Sequence, residues 1–269
     1  METRLHPEAR ITSIIVPVFN EEDGIEQLQN SLTQLRQTLG EGLQFIFVDD
    51  GSTDDTVNRL QLAFGSDPTC CILEHGVNRG IGAAFRTGFQ AASGEIVCTI
   101  DADCSYRPEG LKRLIAALDD TGADIAVASP YHPDGGVAGV PAWRLLLSRA
   151  CSLLYRILAP VNLYTYTSVF RAYRQGVVRD VQFQSNGFVS AVEILFSAAR
   201  QGYRITEVPM VLHARTVGQS KMKIARTIRT HLKLMRGLVV PTRAAGTADT
   251  AIGNSITTMS SAVTAKEDR

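Results

Sequence analysis

Two acidic side chains one residue apart, Asp101 and Asp103, directly follow an apolar run at residues 96–100. Such a run is typical of a strand buried between helices, and the carboxyl end of that strand faces a ligand crevice. Two carboxylates there stay ionised together only beside a cation, and their hard oxygen ligands suit Mg²⁺ or Mn²⁺. Because these ions bind diphosphates, the pair predicts metal-assisted transfer from a nucleotide-activated donor. Taken alone, a solvated acidic turn explains the pair equally well.

Three further polar clusters also stand where apolar runs end, at residues 17–22, 49–54 and 78–82. The carboxyl ends of neighbouring parallel strands meet at one crevice, so we expect the four clusters to converge there. Each cluster by itself could be ordinary turn and helix-cap chemistry. Their common position at strand ends favours a shared site.

Strand and helix patterns alternate through the first half of the chain. Apolar runs predict strands, the first of them closed by Pro17, at residues 11–16, 45–48, 70–73, 96–100 and 123–129. Helical periodicity follows these runs, and the predicted caps are Ser52 or Thr53 for the second helix and Asn78 for the third. This alternation predicts an α/β fold with a doubly wound, mostly parallel sheet flanked by helices.

The second half is less regular. A Gly/Pro-rich loop is expected at residues 129–141, followed by helices, including a basic amphipathic C-terminal helix, at residues 143–158, 187–200 and 220–239. We expect one domain over residues 11–240, between an N-terminal extension, residues 1–10, and a disordered tail, residues 241–269.

The composition of the chain limits the classes of partner and the compartment that we expect. The 269-residue chain has a formal net charge of zero, which gives no support for nucleic-acid binding. Its five cysteines have no metal-ligand spacing and indicate reduced thiols in a cytoplasmic compartment. No run approaches the roughly 18 apolar residues of a membrane span. If a membrane matters, we expect peripheral attachment, by the helices at residues 143–158 and 220–239 or through a membrane-anchored partner, although such an amphipathic pattern more often reflects packing into the core.

The motifs together resemble the family-2 glycosyltransferases of the GT-A fold. The resemblance covers residues 11–236 and rests on the four polar clusters at residues 16–22, 48–54, 78–84 and 101–103. Later signatures resemble the branch of dolichol- or polyprenol-phosphate mannose and glucose synthases, at residues 170–173, 187–193, 207–209 and 215–221. The implied fold is a GT-A domain, and the implied partner is a nucleotide-sugar.

The resemblance also implies roles for individual residues. The nucleoside pocket would be lined by Pro17, Phe19, Glu21, Val48 and Asp50. Asp101 and Asp103 would hold the diphosphate through Mg²⁺ or Mn²⁺, with the Ala102 backbone alongside. Phosphates of donor or acceptor would be bound by Arg144, Arg215 and Lys221, and several cations are what a phosphate-rich site needs.

The implied activity is an inverting sugar transfer from GDP-mannose or a UDP-sugar, with a polyprenyl or dolichyl phosphate as the expected acceptor. A lipid phosphate is already an anion, whereas a hydroxyl acceptor would require a general base, for which Glu193 is the candidate. A nucleotide-sugar-binding protein without catalysis is the alternative, because three positions depart from the usual family pattern: Ser105, Pro130 and Val169.

Two other enzyme classes share this kind of sheet and fit poorly. A dinucleotide fingerprint expects a third glycine where the chain has Phe85, after Gly80 and Gly82. A sugar-phosphate nucleotidyltransferase usually has a Gly-rich first loop containing Arg, which residues 17–22 do not resemble.

Overall fold

The computed structural model describes residues 10–215 and 224–239. Within them the strands are β1 (Thr12–Val18), β2 (Leu43–Asp49), β3 (Cys70–Glu74), β4 (Ile96–Thr99), β5 (Ile125–Ser129), β6 (Gly136–Ala138), β7 (Arg171–Arg174), β8 (Ile205–Pro209) and β9 (Val211–His213). The α-helices are α1 (Ile25–Leu39), α2 (Thr56–Phe64), α3 (Ile81–Ala91), α4 (Leu111–Thr121), α5 (Ala142–Leu158), α6 (Gln175–Asp180), α7 (Ser190–Arg200) and α8 (Ile224–Val239). The predicted disordered tail and all but Arg10 of the predicted N-terminal extension lie outside the described residues.

The main sheet has the strand order β3-β2-β1-β4-β7-β5-β8. Its neighbours run parallel, except that β7 lies antiparallel between β4 and β5. This arrangement confirms the predicted mostly parallel α/β sheet. The strand order turns back between β1 and β4, and in such sheets ligands bind beyond the carboxyl ends of the strands at that point. The polar clusters after β1 and β4 therefore meet there.

Helices cover both faces of the sheet, which makes it doubly wound. One apolar cluster joins the sheet to α1, α2 and α4, and the other joins it to α3, α7 and the inner sides of α5 and α8. Fully buried strand residues such as Ile14 and Ile15 alternate between the two clusters, as the period of a strand requires. Burial on both faces explains why the strands appear in the sequence as continuous apolar runs.

The sequence predicts that β1 ends before Pro17, but the strand continues through Pro17 to Val18. The carbonyl of Ile15 accepts from the Ile100 backbone N–H on the β4 side, and alternate residues of a strand point to the same side. Pro17 therefore faces the β4 side, where the pairing with β4 has ended at Ile15. A proline is tolerated there because no ladder hydrogen bond is lost.

The predicted helix caps are also wrong. Helix α2 begins at Thr56, whose backbone N–H is accepted by Asp54 Oδ1 at 3.1 Å, so neither Ser52 nor Thr53 caps it. Helix α3 has no side-chain cap, although Asn78 was expected to provide one. Polar residues at these strand ends bond instead to the neighbouring loops, as described below.

Three elements were not predicted. Strand β6 lies within the expected loop at residues 129–141 and pairs in parallel with β9. Strand β7 and helix α6 follow one another, and β7 contains Arg171, which breaks the apolar pattern of a buried strand. Arg171 is nevertheless completely buried, and its guanidinium donates to the carbonyls of Ala191 at 2.7 Å and Tyr166 at 2.9 Å.

Candidate active site

Four of the predicted site residues come together where the loops after β1 and β4 meet. Arg215 lies between two acids: its Nε donates to Asp103 Oδ2 at 2.9 Å, and its Nη1 to Glu21 Oε1 at 3.0 Å. Asp101 stands within electrostatic reach of all three. We call Glu21, Asp101 and Asp103 the carboxylate cluster. The guanidinium of Arg215 thus contacts Glu21, which is 194 positions away in the sequence.

The carboxylate cluster strongly disfavours charge on Asp101. Burial raises the pKa of Asp101 to about 8, and the negative charges of Asp103 and Glu21 act in the same direction, while Arg215 opposes them. A carboxyl group in such surroundings is protonated at neutral pH unless more positive charge arrives. Among the described groups that act on Asp101, Arg215 by itself does not offset the burial and the neighbouring negative charges.

The donor set fits a divalent cation that is shared with a ligand. Within residues 10–215 and 224–239, no group of three or more His, Cys, Asp or Glu side chains is arranged to hold a metal alone. Asp101 and Asp103 provide two hard carboxylates, and Mg²⁺ is commonly bound by one or two carboxylates together with substrate phosphates. The raised pKa of Asp101 indicates the place where a cation would be most effective.

Hydrogen bonds between loops hold Glu21 in place. Asn20 has a φ of 52°, a left-handed conformation that Asn tolerates better than most residues. Its backbone N–H donates to Ser52 Oγ at 2.8 Å, and its Oδ1 accepts from the Thr53 backbone N–H at 2.8 Å. The Glu21 backbone N–H donates to Thr56 Oγ1 at 2.8 Å. The polar cluster after β2 therefore fixes the loop after β1.

The turn after β4 is fixed in a similar way and brings Arg215 to the site. Asp103 Oδ1 accepts from the Ser105 backbone N–H at 2.9 Å, and Cys104 between them has a φ of 52°. The Ser105 carbonyl accepts from the His213 backbone N–H at 2.9 Å. Strand β9 is thereby tied to this turn, and Arg215 follows two residues later. Ser105 thus acts here through its backbone.

The side chain of Asp50, directly after β2, is held by the segment that follows β3. Its Oδ1 accepts from the Arg79 backbone N–H at 2.9 Å and contacts His75 Nδ1 at 2.8 Å, and its Oδ2 accepts from the Gly80 backbone N–H at 2.7 Å. His75 Nε2 in turn contacts Thr87 Oγ1 at 2.9 Å. Sequence reasoning missed His75, although its position directly after β3 was a signal.

The remaining nucleoside-pocket candidates differ in accessibility. Pro17 and Phe19 are half-buried at the end of β1, and Ala102 is buried between the two aspartates. The side chain of Val48 is completely buried in the core, where it stands beside Pro17 in the β1–β2 pairing. A ligand could therefore meet only the main chain of Val48.

Glu193 lies on α7 and bonds to a different loop. Its Oε2 accepts from the backbone N–H groups of Gln184 at 3.1 Å and Ser185 at 2.9 Å, and its Oε1 accepts from Ser185 Oγ at 2.5 Å. That loop packs on the start of α3, since Gly82 donates to the Asn186 carbonyl at 2.8 Å. A Cβ on Gly82 would lie 2.1 Å from the Ser185 carbonyl oxygen, so the approach requires glycine. The partners of Glu193 are thus outside the carboxylate cluster.

The side chains of two predicted phosphate-binding residues, Arg144 and Lys221, are not described by the structure. Lys221 lies outside the described residues, and Arg144 is on the first turn of α5, where its side chain is not described. Their roles stay predictions. Arg215 is the one of the three whose side chain is described, and it is at the carboxylate cluster.

A family profile and several known proteins are similar to the chain. The profile described as "Glycosyl transferase family 2" matches residues 13–182. An undecaprenyl-phosphate mannosyltransferase from Micrococcus luteus is 34% identical over 77% of this chain and 86% of its own length. A polyprenol monophosphomannose synthase from Mycolicibacterium smegmatis is 32% identical, covering 78% and 80%. A dolichol-phosphate mannosyltransferase from Pyrococcus furiosus is 31% identical over 82% of this chain and 61% of its own length.

Solved structures have the same fold. Glucosyl-3-phosphoglycerate synthase from Mycobacterium tuberculosis in complex with phosphoglyceric acid has a TM-score of 0.64 and 22% identity, covering 86% of this chain and 79% of that one. The same enzyme with Mn²⁺, UDP-glucose and phosphoglyceric acid has a TM-score of 0.63 and 21% identity, covering 87% and 82%. At this identity the likeness establishes the fold alone.

Proposed function

The chain belongs to glycosyl transferase family 2, and we propose that this glycosyltransferase moves a sugar from a nucleotide-diphosphate donor to a polyprenyl phosphate. The observation that carries the proposal is the contact of Arg215 with both Glu21 and Asp103 at the turn-back point of the sheet. The relatives named in the preceding subsection act, by their names, on undecaprenyl, polyprenol or dolichol phosphates. Those names support the choice of acceptor.

On the donor side, the loops after β1, β2 and β4 would bind the nucleotide. Mg²⁺ or Mn²⁺ held by Asp101 and Asp103 would neutralise charge on the leaving diphosphate. Asp50 is fixed by three hydrogen bonds, and Pro17 and Phe19 stand at the same sheet edge, so we assign the nucleoside to that side. A preorganised pocket of this kind positions the sugar without rearrangement of the loops.

On the acceptor side, cations would orient a phosphate that needs no activation. A phosphate monoester is ionised at neutral pH and can attack the sugar carbon opposite the leaving group, with inversion. Arg215 would exchange a carboxylate for a phosphate oxygen, because guanidinium binds both in the same two-point geometry. We assign Arg144 and Lys221 to the same task. Glu193 is not required as a base in this reaction.

The proposed acceptor places the reaction at a membrane surface. In the described part of the chain, no helix has the length and apolar character needed to span a bilayer. For a lipid acceptor of this kind, we propose peripheral contact with the membrane that holds it. The cytoplasmic side and a membrane-anchored partner stay predictions from the sequence.

Sugar transfer to an extractable lipid tests the proposal. Purified protein is incubated with labelled GDP-mannose or UDP-sugars, Mn²⁺ or Mg²⁺, and undecaprenyl phosphate, and the label in the organic phase is counted. The matched acceptor control is undecaprenol, which has the same chain and a hydroxyl in place of the phosphate. We expect metal-dependent labelling of the phosphate only. Labelling of undecaprenol, or of neither lipid with any donor, would overturn the proposal.

Glu193→Gln separates the two acceptor chemistries. With a lipid phosphate, the variant should keep its turnover within a few-fold, whereas a required general base would cost about 10²- to 10⁴-fold. Because Glu193 also holds the loop at Gln184 and Ser185, the melting temperature of the variant must be measured alongside.

A further inference from the structure

Helix α5 presents an apolar stripe to solvent and a more polar stripe to the core. The outward residues recur at helical spacing and are Trp143, Leu146, Leu147, Ala150, Leu153, Leu154 and Ile157. Leu146 is 71% exposed and Ile157 is 74% exposed. The inward side includes Ser152 and Tyr155, both buried. A helix of a protein that is complete in water normally has the reverse arrangement.

Helix α8 extends this stripe instead of covering it. The two helices pack together through their inner sides, where Tyr155 Oη contacts His231 Nδ1 at 2.8 Å and Met235 is buried. Ile228 and Leu232 of α8 are 41% and 56% exposed, one turn apart. We call these two residues together with the stripe on α5 the outer helix face. Exposed apolar side chains on two helices that pack together in this way indicate an interaction site.

The charges on the two helices identify the partner. Helix α5 contains three Arg, helix α8 contains four Arg or Lys, and neither contains Asp or Glu, which gives seven cations and no acid. Arg149 stacks over Tyr131 at 5.3 Å and Arg156 over Tyr164 at 4.8 Å, so both guanidinium groups stand at aromatic rings. A two-fold pairing with a second copy would bring equal basic surfaces together. An anionic bilayer satisfies both the apolar stripe and the cations.

The outer helix face also begins close to the carboxylate cluster. Strand β6 precedes α5, and the Ala138 carbonyl accepts from the Ala214 backbone N–H at 2.8 Å, next to Arg215. Ala142, the first residue of α5, comes four positions after Ala138, and a chain of that length can span at most about 14 Å. A phosphate at a bilayer surface in contact with α5 would therefore lie near Arg215.

We propose that the outer helix face is the surface on which this protein lies on an anionic lipid bilayer, with α5 and α8 in the plane of the headgroups. The inference rests on the proposed function, which gives the protein a reason to contact a membrane. The face that makes the contact is identified by the exposed apolar stripe and the basic helices. It assigns the membrane contact to one face of the molecule and leaves α1, α2 and α4 away from the lipid.

Vesicle co-sedimentation of the full chain tests this assignment. The test variant is Leu146→Glu with Leu153→Glu, which keeps good helix formers at two exposed positions. The matched control is Leu62→Glu, because Leu62 is 87% exposed but lies on α2, against the other face of the sheet. We expect the wild type and the control to bind vesicles containing phosphatidylglycerol about tenfold or more better than pure phosphatidylcholine vesicles. The double variant should lose at least about tenfold of that binding.

Three results would overturn the assignment. They are equal binding of wild type to neutral and anionic vesicles, equal loss in the Leu62 control, and a double variant that binds as the wild type does. Size-exclusion chromatography adds a fourth: a wild-type dimer that the double variant converts to a monomer, with vesicle binding unchanged, would make the face an interface between copies.

A second readout keeps this inference separate from the proposed function. The double variant should transfer sugar to a short-chain, water-soluble polyprenyl phosphate at the wild-type rate and lose activity only with the long-chain lipid in vesicles. Vesicle binding by a wild type that transfers no sugar would contradict the proposed function and leave the docking surface standing. Sugar transfer by a wild type that binds no vesicles would contradict the docking surface and leave the proposed function standing.

Discussion

The carboxylate cluster and the outer helix face are both costly to the isolated protein, in opposite ways. The cluster gathers three acids around a single described cation, Arg215, whereas the outer helix face leaves large apolar side chains in water. Each region has a local penalty that its proposed partner would relieve: a cation would offset the negative charge of the first, and an apolar phase would cover the side chains of the second. The comparison teaches that a functional region can be found by asking which missing component would remove a local penalty.

The loops around the two regions differ as well. Near the cluster, hydrogen bonds of Asn20 join the turns after β1 and β2, and those of the Asp50 side chain join the turn after β2 to the segment after β3. Helix α5 has polar attachment on its inner side, at Tyr155, and an outward side without core packing. The donor side is therefore preorganised, while the outer helix face is suited to a fluid partner.

The largest expected effect is loss of turnover on removal of one carboxylate. Asp103→Asn keeps the size of the side chain but removes a metal ligand and a partner of Arg215, so we expect sugar transfer to fall about 10²- to 10³-fold. The matched control is Asp23→Asn, at an exposed aspartate before α1. Steady-state kinetics with the labelled donor measure both. Equal activity of the two variants would remove the cluster from the mechanism.

Asp101→Asn should stabilise the metal-free protein while it lowers sugar transfer. Burial and the neighbouring acids raise the pKa of Asp101 from 3.8 to about 8, so the native state keeps a proton that the unfolded state loses. Wild-type stability from this group is lost as pH rises from about 4 to 8. The variant escapes this loss, and we expect its free energy of unfolding to exceed that of wild type by roughly 1 to 3 kcal/mol at neutral pH.

Urea denaturation at pH 4 and at pH 8 checks this prediction. The stability difference between Asp101→Asn and wild type should be small at the lower pH and largest at the higher one. A difference of constant size at both pH values would mean that the ionisation of Asp101 in the native state is not the cause.

Arg215→Gln should tighten metal binding in the absence of nucleotide. The positive charge of Arg215 offsets the negative charge of Asp103 and Glu21, so its removal leaves a more negative site, and we expect Mn²⁺ to bind about tenfold more tightly. The same change should lower sugar transfer. Mn²⁺ electron paramagnetic resonance titration measures the affinity, with Arg113→Gln on α4 as an exposed control. Unchanged or weaker Mn²⁺ binding would show that Arg215 does not compete with the ion.

The smallest expected effect contrasts the two sides of α5. Tyr155→Phe removes the buried contact with His231 and should lower the free energy of unfolding by about 1 kcal/mol. Leu146→Glu with Leu153→Glu, on the outward side, should change it by no more than about 0.5 kcal/mol. Urea denaturation compares them. A larger loss for the double variant would mean that the outer helix face belongs to the core.

The sequence was informative where patterns are local. Apolar runs followed by acids predicted the parallel strands, the sheet class and the meeting of Glu21, Asp101 and Asp103. The sequence was uninformative where a charged residue is buried by partners outside its own strand. Strand β7 was not predicted because it contains Arg171, whose carbonyl partners come from residues 166 and 191.

Other features depend on contacts that no periodicity encodes. The partnership of Asp50 with His75 joins two different strand ends, and the bonds of Glu193 to the loop at Ser185 arise from tertiary packing. Helix α5 has apolar residues on two sides, so its pattern could not say which side faces solvent. The apolar residues of α8 are also divided between two environments, with Met235 buried and Leu232 exposed.

Metal-dependent nucleotide binding tests the central claim most directly. The melting temperature of wild type and of Asp103→Asn is measured with GDP and with UDP, each with and without Mn²⁺, since a ligand that binds only the native state raises it. The account predicts that at least one nucleotide stabilises the wild type only when Mn²⁺ is present, and that Asp103→Asn does not respond. A flat response of the wild type, or an equal response of the variant, would contradict it.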